Sequence, residues 1–125
     1  MKGPVISFLW VIAVASLPAH AVEPSDFNAK TTRNLYNLCS VTTADQQYEA
    51  AMGFCLGFVD GALDYHRALT SGDLVVPITC PGDMTTRQEI VEAFLAWARK
   101  NESLLDTESP IQGLMRSASA TWPCP

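Results

Sequence analysis

Residues that carry chemistry are scarce in this chain. It has two histidines, His20 and His66, and only 8 lysines and arginines against 13 aspartates and glutamates. The resulting net charge of −5 argues against nucleic acid or an anionic membrane surface as partner and mildly favours a basic protein. No serine sits in a G-x-S-x-G setting. None of the 4 cysteines has C-x-x-C spacing, and no glycine-rich phosphate loop occurs. Internal repeats and low-complexity segments are also missing.

Long apolar runs are absent with one exception, the 13 residues Val5 to Leu17 that follow Lys2. That run is shorter than the roughly 20 residues needed to span a bilayer. With Ala19-His20-Ala21 behind it, it reads as a secretory leader over residues 1–21, cleaved after Ala21. No cysteine stands at the cleavage point, which argues against a lipoprotein. Residues 22–125 are then a single domain, one charge more negative without Lys2 and without a membrane anchor.

Cys39, Cys55, Cys80 and Cys124 all fall in the exported part. An even count in a small exported domain reads as two disulfides, and a bacterial periplasm is the compartment expected. A metal site is disfavoured, because His66 is the only histidine left after cleavage. His66 reads as a half-buried residue at the end of an apolar face, and Asp64, two positions earlier in a helix, points elsewhere. A cysteine nucleophile would need a free thiol. The expectation is a protein without catalytic residues, metal or cofactor.

The pattern predicts an all-α, four-helix domain. A weakly patterned helix spans about Phe27 to Leu38. Thr43-x-x-Gln46 has capping-box spacing and opens a long helix from Ala44 to about Leu69. Residues 70–84, with Gly72, Pro77, Pro81 and Gly82, break helicity. Thr85-x-x-Gln88 or Thr86-x-x-Glu89 restarts it, with Ile90, Val91, Phe94, Leu95 and Ala98 in helical register. Ser109-Pro110 opens the last helix, whose apolar residues are Ile111, Leu114, Met115 and Ala118.

The long helix contains "GFCLGFVDGALDYH" over residues 53–66, with three glycines that each cost about 1 kcal/mol relative to alanine. Unrolled, it places Tyr48, Ala51, Cys55, Phe58, Val59, Ala62, His66 and Leu69 on a broad apolar side. Glu49, Gly53, Gly57, Asp60, Asp64 and Arg67 fall opposite, with Gly61 at the margin. Either a neighbouring part of the same chain approaches the glycines closely, with Asp64 and Arg67 a surface pair, or the stripe receives another chain.

Four cysteines allow three connectivities. If the helices after Cys80 and before Cys124 form an antiparallel hairpin, those two lie at one end. Cys39 is then left to Cys55, a pairing that frays the first turn of the long helix. The 70–84 segment carries Asp73, Leu74, Val75 and Asp83 and is tied at Cys80. It reads either as a pre-ordered plug for an enzyme cleft or as a crossover whose valines cap the core.

Asn37-Leu38-Cys39 is followed by Cys55-x-Gly57-Phe58-x-x-Gly61-x-x-Asp64. Cys80-Pro81-x-x-x-Thr85-x-x-Gln88 comes next, and Trp122-Pro123-Cys124 ends the chain. Over about residues 34–124 this framework resembles the Tai-type immunity family, exported helical proteins that neutralise peptidoglycan amidases delivered by type VI secretion. The resemblance implies blockade of an amidase active site in the periplasm, one-to-one or by a homodimer. Phe58 replaces an expected tyrosine, and the last helix diverges, with an extra glycine at 113. Two other readings stand beside it, a small periplasmic helical chaperone and an envelope interaction protein without inhibitory role. Framework residues carry fold better than specificity.

Overall fold

A computed structural model describes residues 20–125, together with Met1 and Gly3. The apolar run of the expected leader lies outside the described residues. Four α-helices are found among those described: α1 (Thr32–Cys39), α2 (Tyr48–Thr70), α3 (Arg87–Lys100) and α4 (Pro110–Thr121), with no strand. Both bridges form as the hairpin argument expects, Cys39–Cys55 and Cys80–Cys124. No helix among the described residues is long and apolar enough to cross a membrane.

Local capping sets three of the four helix starts. Thr86 and Glu89 exchange hydrogen bonds at the start of α3, which decides between the two boxes expected there. Ser109 and Gln112 do the same for α4, with Pro110 at its first position. At α1 the box is Thr31 with Asn34, so the expected helix from Phe27 does not form. Residues Pro24–Asn28 instead make a 3-10 turn that closes on Ala29 in the left-handed region, φ 44°. The cause is Asp26, a buried carboxylate whose Oδ2 accepts from the Glu23 amide and whose Oδ1 accepts from the Asn34 and Asn37 side chains, all at 3.0 Å.

Burial alone would push the Asp26 pKa up. The hydrogen bonds from Glu23, Asn34 and Asn37 together outweigh it and hold the carboxyl below its ordinary value. Removing it strands two side-chain amides, so Asp26→Ala should cost about 2–4 kcal/mol at neutral pH. A depressed folded-state pKa stabilises above the unfolded value, about 3.9, and this is lost as pH falls through the folded one. The gap between urea titrations of wild type and variant should therefore begin to narrow only below about pH 4.

The long helix also starts later than expected, at Tyr48 rather than Ala44, and the Thr43–Gln46 box is not used. Asp45 takes over this stretch: its Oδ1 accepts from the Gln47 amide at 2.7 Å and its Oδ2 from the Val22 amide at 3.0 Å. The Cys39–Cys55 bridge favours this arrangement, since only 16 residues separate its ends and the chain must reverse between them.

The core forms where α1 packs on all three other helices and α3 packs on α2 and α4. Phe94, Leu35, Val59, Val91 and Leu114 surround the Cys39–Cys55 bridge. The buried face of α2 is the four-residue ladder Ala51, Cys55, Val59 and Leu63. Leu69, expected on that face, is exposed, and so is Ile111 on α4. A second cluster joins Val22, Leu38 and Ala51, with Phe27 and Phe54, edge to face with each other, packed against it.

Gly113 is the glycine that close packing requires. It is buried against α1, where a Cβ would overlap the side chain of Thr32. Thr32 cannot easily yield, because it is buried and its hydroxyl donates to the Ser109 carbonyl at 2.8 Å.

Candidate functional site

Gly53, Gly57 and Gly61 lie along the outer side of α2. A Cβ built on any of them meets nothing within 4 Å among the described residues. Among the described residues no other part of the chain approaches them, and all three are exposed. Gly57 and Gly61, with Phe58, Ala62, Tyr65 and Ile111, line an open, almost wholly apolar hollow of about 390 Å³. Phe58 is itself half-buried and stacks on Phe54, ring centres 6.4 Å apart.

Two carboxylates of this helix, Asp60 and Asp64, are engaged. Asp60 pairs with Arg87 of α3 at 2.8 Å, and Asp64 pairs with Arg67 at 2.7 Å, the surface pair expected from the sequence. Both pairs are largely solvated and contribute little to stability, under about 1 kcal/mol each.

The segment between α2 and α3 has a fixed base and an apolar tip. At its base the Cys80 amide donates to the Trp122 carbonyl at 2.8 Å, and the buried Thr79 hydroxyl donates to the same carbonyl at 3.2 Å. The Cys80–Cys124 bridge reinforces that point. His66 supplies a third tie, its Nε2 accepting from the Ile78 amide at 3.1 Å. His66 is half-buried at the end of α2, much as expected, but its partner is a backbone amide of the loop.

Beyond these ties the side chains face water. Leu74 is 98% exposed, Val76 80% and Met84 91%, with Val75 and Ile78 also exposed. The valines therefore do not cap the core. Asp83 returns to line a small cleft with His66, Arg67 and Thr79, while Asp73 stays on the exposed tip. Among the described residues no cluster of three metal-ligating side chains occurs.

A family model described as Rap1a immunity proteins matches residues 31–124. The chain belongs to the Rap1a immunity protein family. Rap1a proteins are a type VI secretion immunity family, which places this member among proteins that bind a protein effector. No curated protein and no solved structure gives a significant match. The matched segment of this Rap1a-family chain runs from the N-cap of α1 to the last cysteine and so includes both bridges and the loop.

The fold thus brings Gly57, Gly61 and Phe58 into one hollow, and Asp83 and Arg67 into one cleft. Gly53, Asp60, Asp73, Leu74 and Val75 line neither. Sequence reasoning missed Tyr65, Ile111, Val76, Ile78 and Met84. Tyr65 was within reach, because it stands four residues after Gly61 on the same stripe. Ile111 was not, since its helical register placed it with the core residues of α4.

Proposed function

We propose that this protein is an exported, non-catalytic immunity protein whose loop between α2 and α3 enters the active-site cleft of a type VI-delivered peptidoglycan amidase. The observation that carries the reading is the contrast within that loop. Its base is fixed by a disulfide, two bonds to Trp122 and one to His66, while Leu74, Val76 and Met84 project into water. A pre-ordered loop with apolar tips loses little conformational entropy on docking and gains the transfer of those tips from water. The chain does not need them for its own core.

Two disulfides fit an oxidising compartment, and the leader reading over residues 1–21 supplies the route to the periplasm. The bare glycine face of α2 is the second contact, where backbone can be approached without a side chain intervening. A second copy of the chain, forming the homodimer that the family resemblance implies, or the effector itself would occupy it.

The test is capture followed by titration. Mature protein mixed with periplasmic and secreted fractions should retain an exported amidase, and stoichiometric addition should abolish its release of peptide from peptidoglycan. Leu74→Asp with Val76→Asp should raise the inhibitor concentration needed by about 30-fold or more, as expected when interface anchors are lost, with an unchanged melting temperature. Undiminished inhibition by that variant, or failure to retain any amidase, contradicts the proposal.

A further inference from the structure

The geometry points to a docking site for the protein's own processed N-terminus: cleavage between Ala21 and Val22 frees an α-ammonium on Val22 that pairs with Asp45 and completes the fold. The inference rests on the reading of residues 1–21 as a cleaved leader. Val22 is where the described fold begins to be built in. Its side chain is 7% exposed and packs with Leu38 and Ala51, and the half-buried Phe27, Val41 and Phe54 close the cluster. Ala21 and His20, immediately before it, are exposed. The boundary between exposed and packed residues therefore falls on the bond that the small-x-small pattern marks for cleavage.

Asp45 is aimed at that bond. Its Oδ2 lies 3.0 Å from the Val22 nitrogen, and its Oδ1 is fixed at 2.7 Å by the Gln47 amide. In the uncleaved chain this is an amide donating to a carboxylate. Hydrolysis adds water across the Ala21–Val22 bond, leaves a carboxylate on Ala21, and leaves an amine on Val22 that takes up a proton. The same nitrogen, at the same distance, is then a cation facing an anion, which makes a stronger bond. The carboxyl of Asp45 is already held below its ordinary value by the Val22 amide and then the Gln47 amide, so it is ionised when the ammonium arrives.

Other charges around this corner are few. Tyr36 of α1, Arg99 of α3 and His20 line the adjoining cleft of about 430 Å³, and Glu23 follows Val22 in the chain. His20 leaves with the leader. The arrangement also orders events. A leader protease needs extended chain, whereas the docked Val22 nitrogen is bonded and its side chain covered, so cleavage precedes closure of this corner.

The full-length chain, exported by its own leader and recovered from the periplasm, provides the test. Its mass should correspond to a start at Val22. NMR titration of the Val22 α-amino group should show a midpoint above the ordinary range of about 7.7–8.0, and Asp45→Asn should return it to that range. Asp45→Asn should also lower the melting temperature at pH 6 more than at pH 10, because a raised amine pKa stabilises below the unfolded value and the effect is lost above the folded one. A start at another residue overturns both the leader reading and this inference. A Val22 start with an ordinary α-amino titration overturns the docking alone and leaves export intact.

Discussion

Gly113→Ala should destabilise the protein by about 2 kcal/mol, whereas Gly57→Ala and Gly61→Ala should each stabilise it by up to about 1 kcal/mol. All three replacements remove the same helix penalty, so their opposite signs come from packing alone. At Gly113 the new methyl group meets the Thr32 side chain, which is buried and held by the Ser109 and Glu108 carbonyls. Moving Thr32 gives up those bonds, and leaving it in place separates α4 from α1. Because the overlap is chiefly with the Thr32 methyl group, Thr32→Ser should recover part of the loss in a double-mutant cycle. At Gly57 and Gly61 a methyl group enters open space, and the pair together should raise the melting temperature by roughly 5–10 °C. The same two methyl groups should weaken whatever partner lies on that face. Calorimetry of these variants decides the matter, and a Gly57→Ala protein less stable than wild type would mean that the chain does fold over its own glycines.

Reducing both disulfides should leave the domain largely unfolded at 37 °C. In the chain-entropy account, a bridge closing 16 residues contributes about 3 kcal/mol and one closing 44 about 4 kcal/mol. Together they match much of the 5–15 kcal/mol that holds a domain of this size. The two bridges should differ in what else they do. Cys39 and Cys55 lie inside the core, so replacing both with alanine also opens a cavity and should affect stability first. Cys80 and Cys124 sit at the base of the exposed loop, where the Cys80 amide and the Thr79 hydroxyl still bond Trp122. Their replacement should cost inhibition disproportionately, because the loop must then be ordered on docking. Thermal scans of the two double variants, paired with inhibition assays, separate these effects. Equal loss of inhibition and stability in both would argue that the loop is not the binding element.

Much of the architecture was legible because its signals are local. Thr86 with Glu89, one of the two boxes the sequence offers, and Ser109-Pro110 are capping patterns within one turn, and the helices start where they indicate. The disulfide pairing followed from two helices sharing an end. What misled were stretches in which an aspartate gathers partners from beyond its own helical turn. Thr43 and Gln46 had the right spacing for a cap, but Asp45 between them is committed to Val22, 23 residues away. Phe27 and Leu35 had helical spacing, but Asp26 gathers Glu23, Asn34 and Asn37 and turns the chain before α1.

The candidate site was legible only in outline. Three glycines in one helix signalled something unusual, and the 70–84 segment was recognised as tied and stiff. Yet the glycine that answers to close packing is Gly113, because only the fold sets Thr32 against it. Exposure of Leu74 and Val76 is likewise a tertiary fact, since a run of apolar residues after a helix reads equally well as core cover.

Hydrogen exchange of the loop amides between residues 72 and 84, with and without the captured effector, tests most directly whether this loop is the surface another protein occupies. Slowed exchange across Asp73, Leu74, Val75 and Val76 on complex formation, with Cys80 protected in both states through its bond to Trp122, is the result predicted. Unchanged exchange at the loop tip, with protection appearing on another face of the bundle, would contradict it.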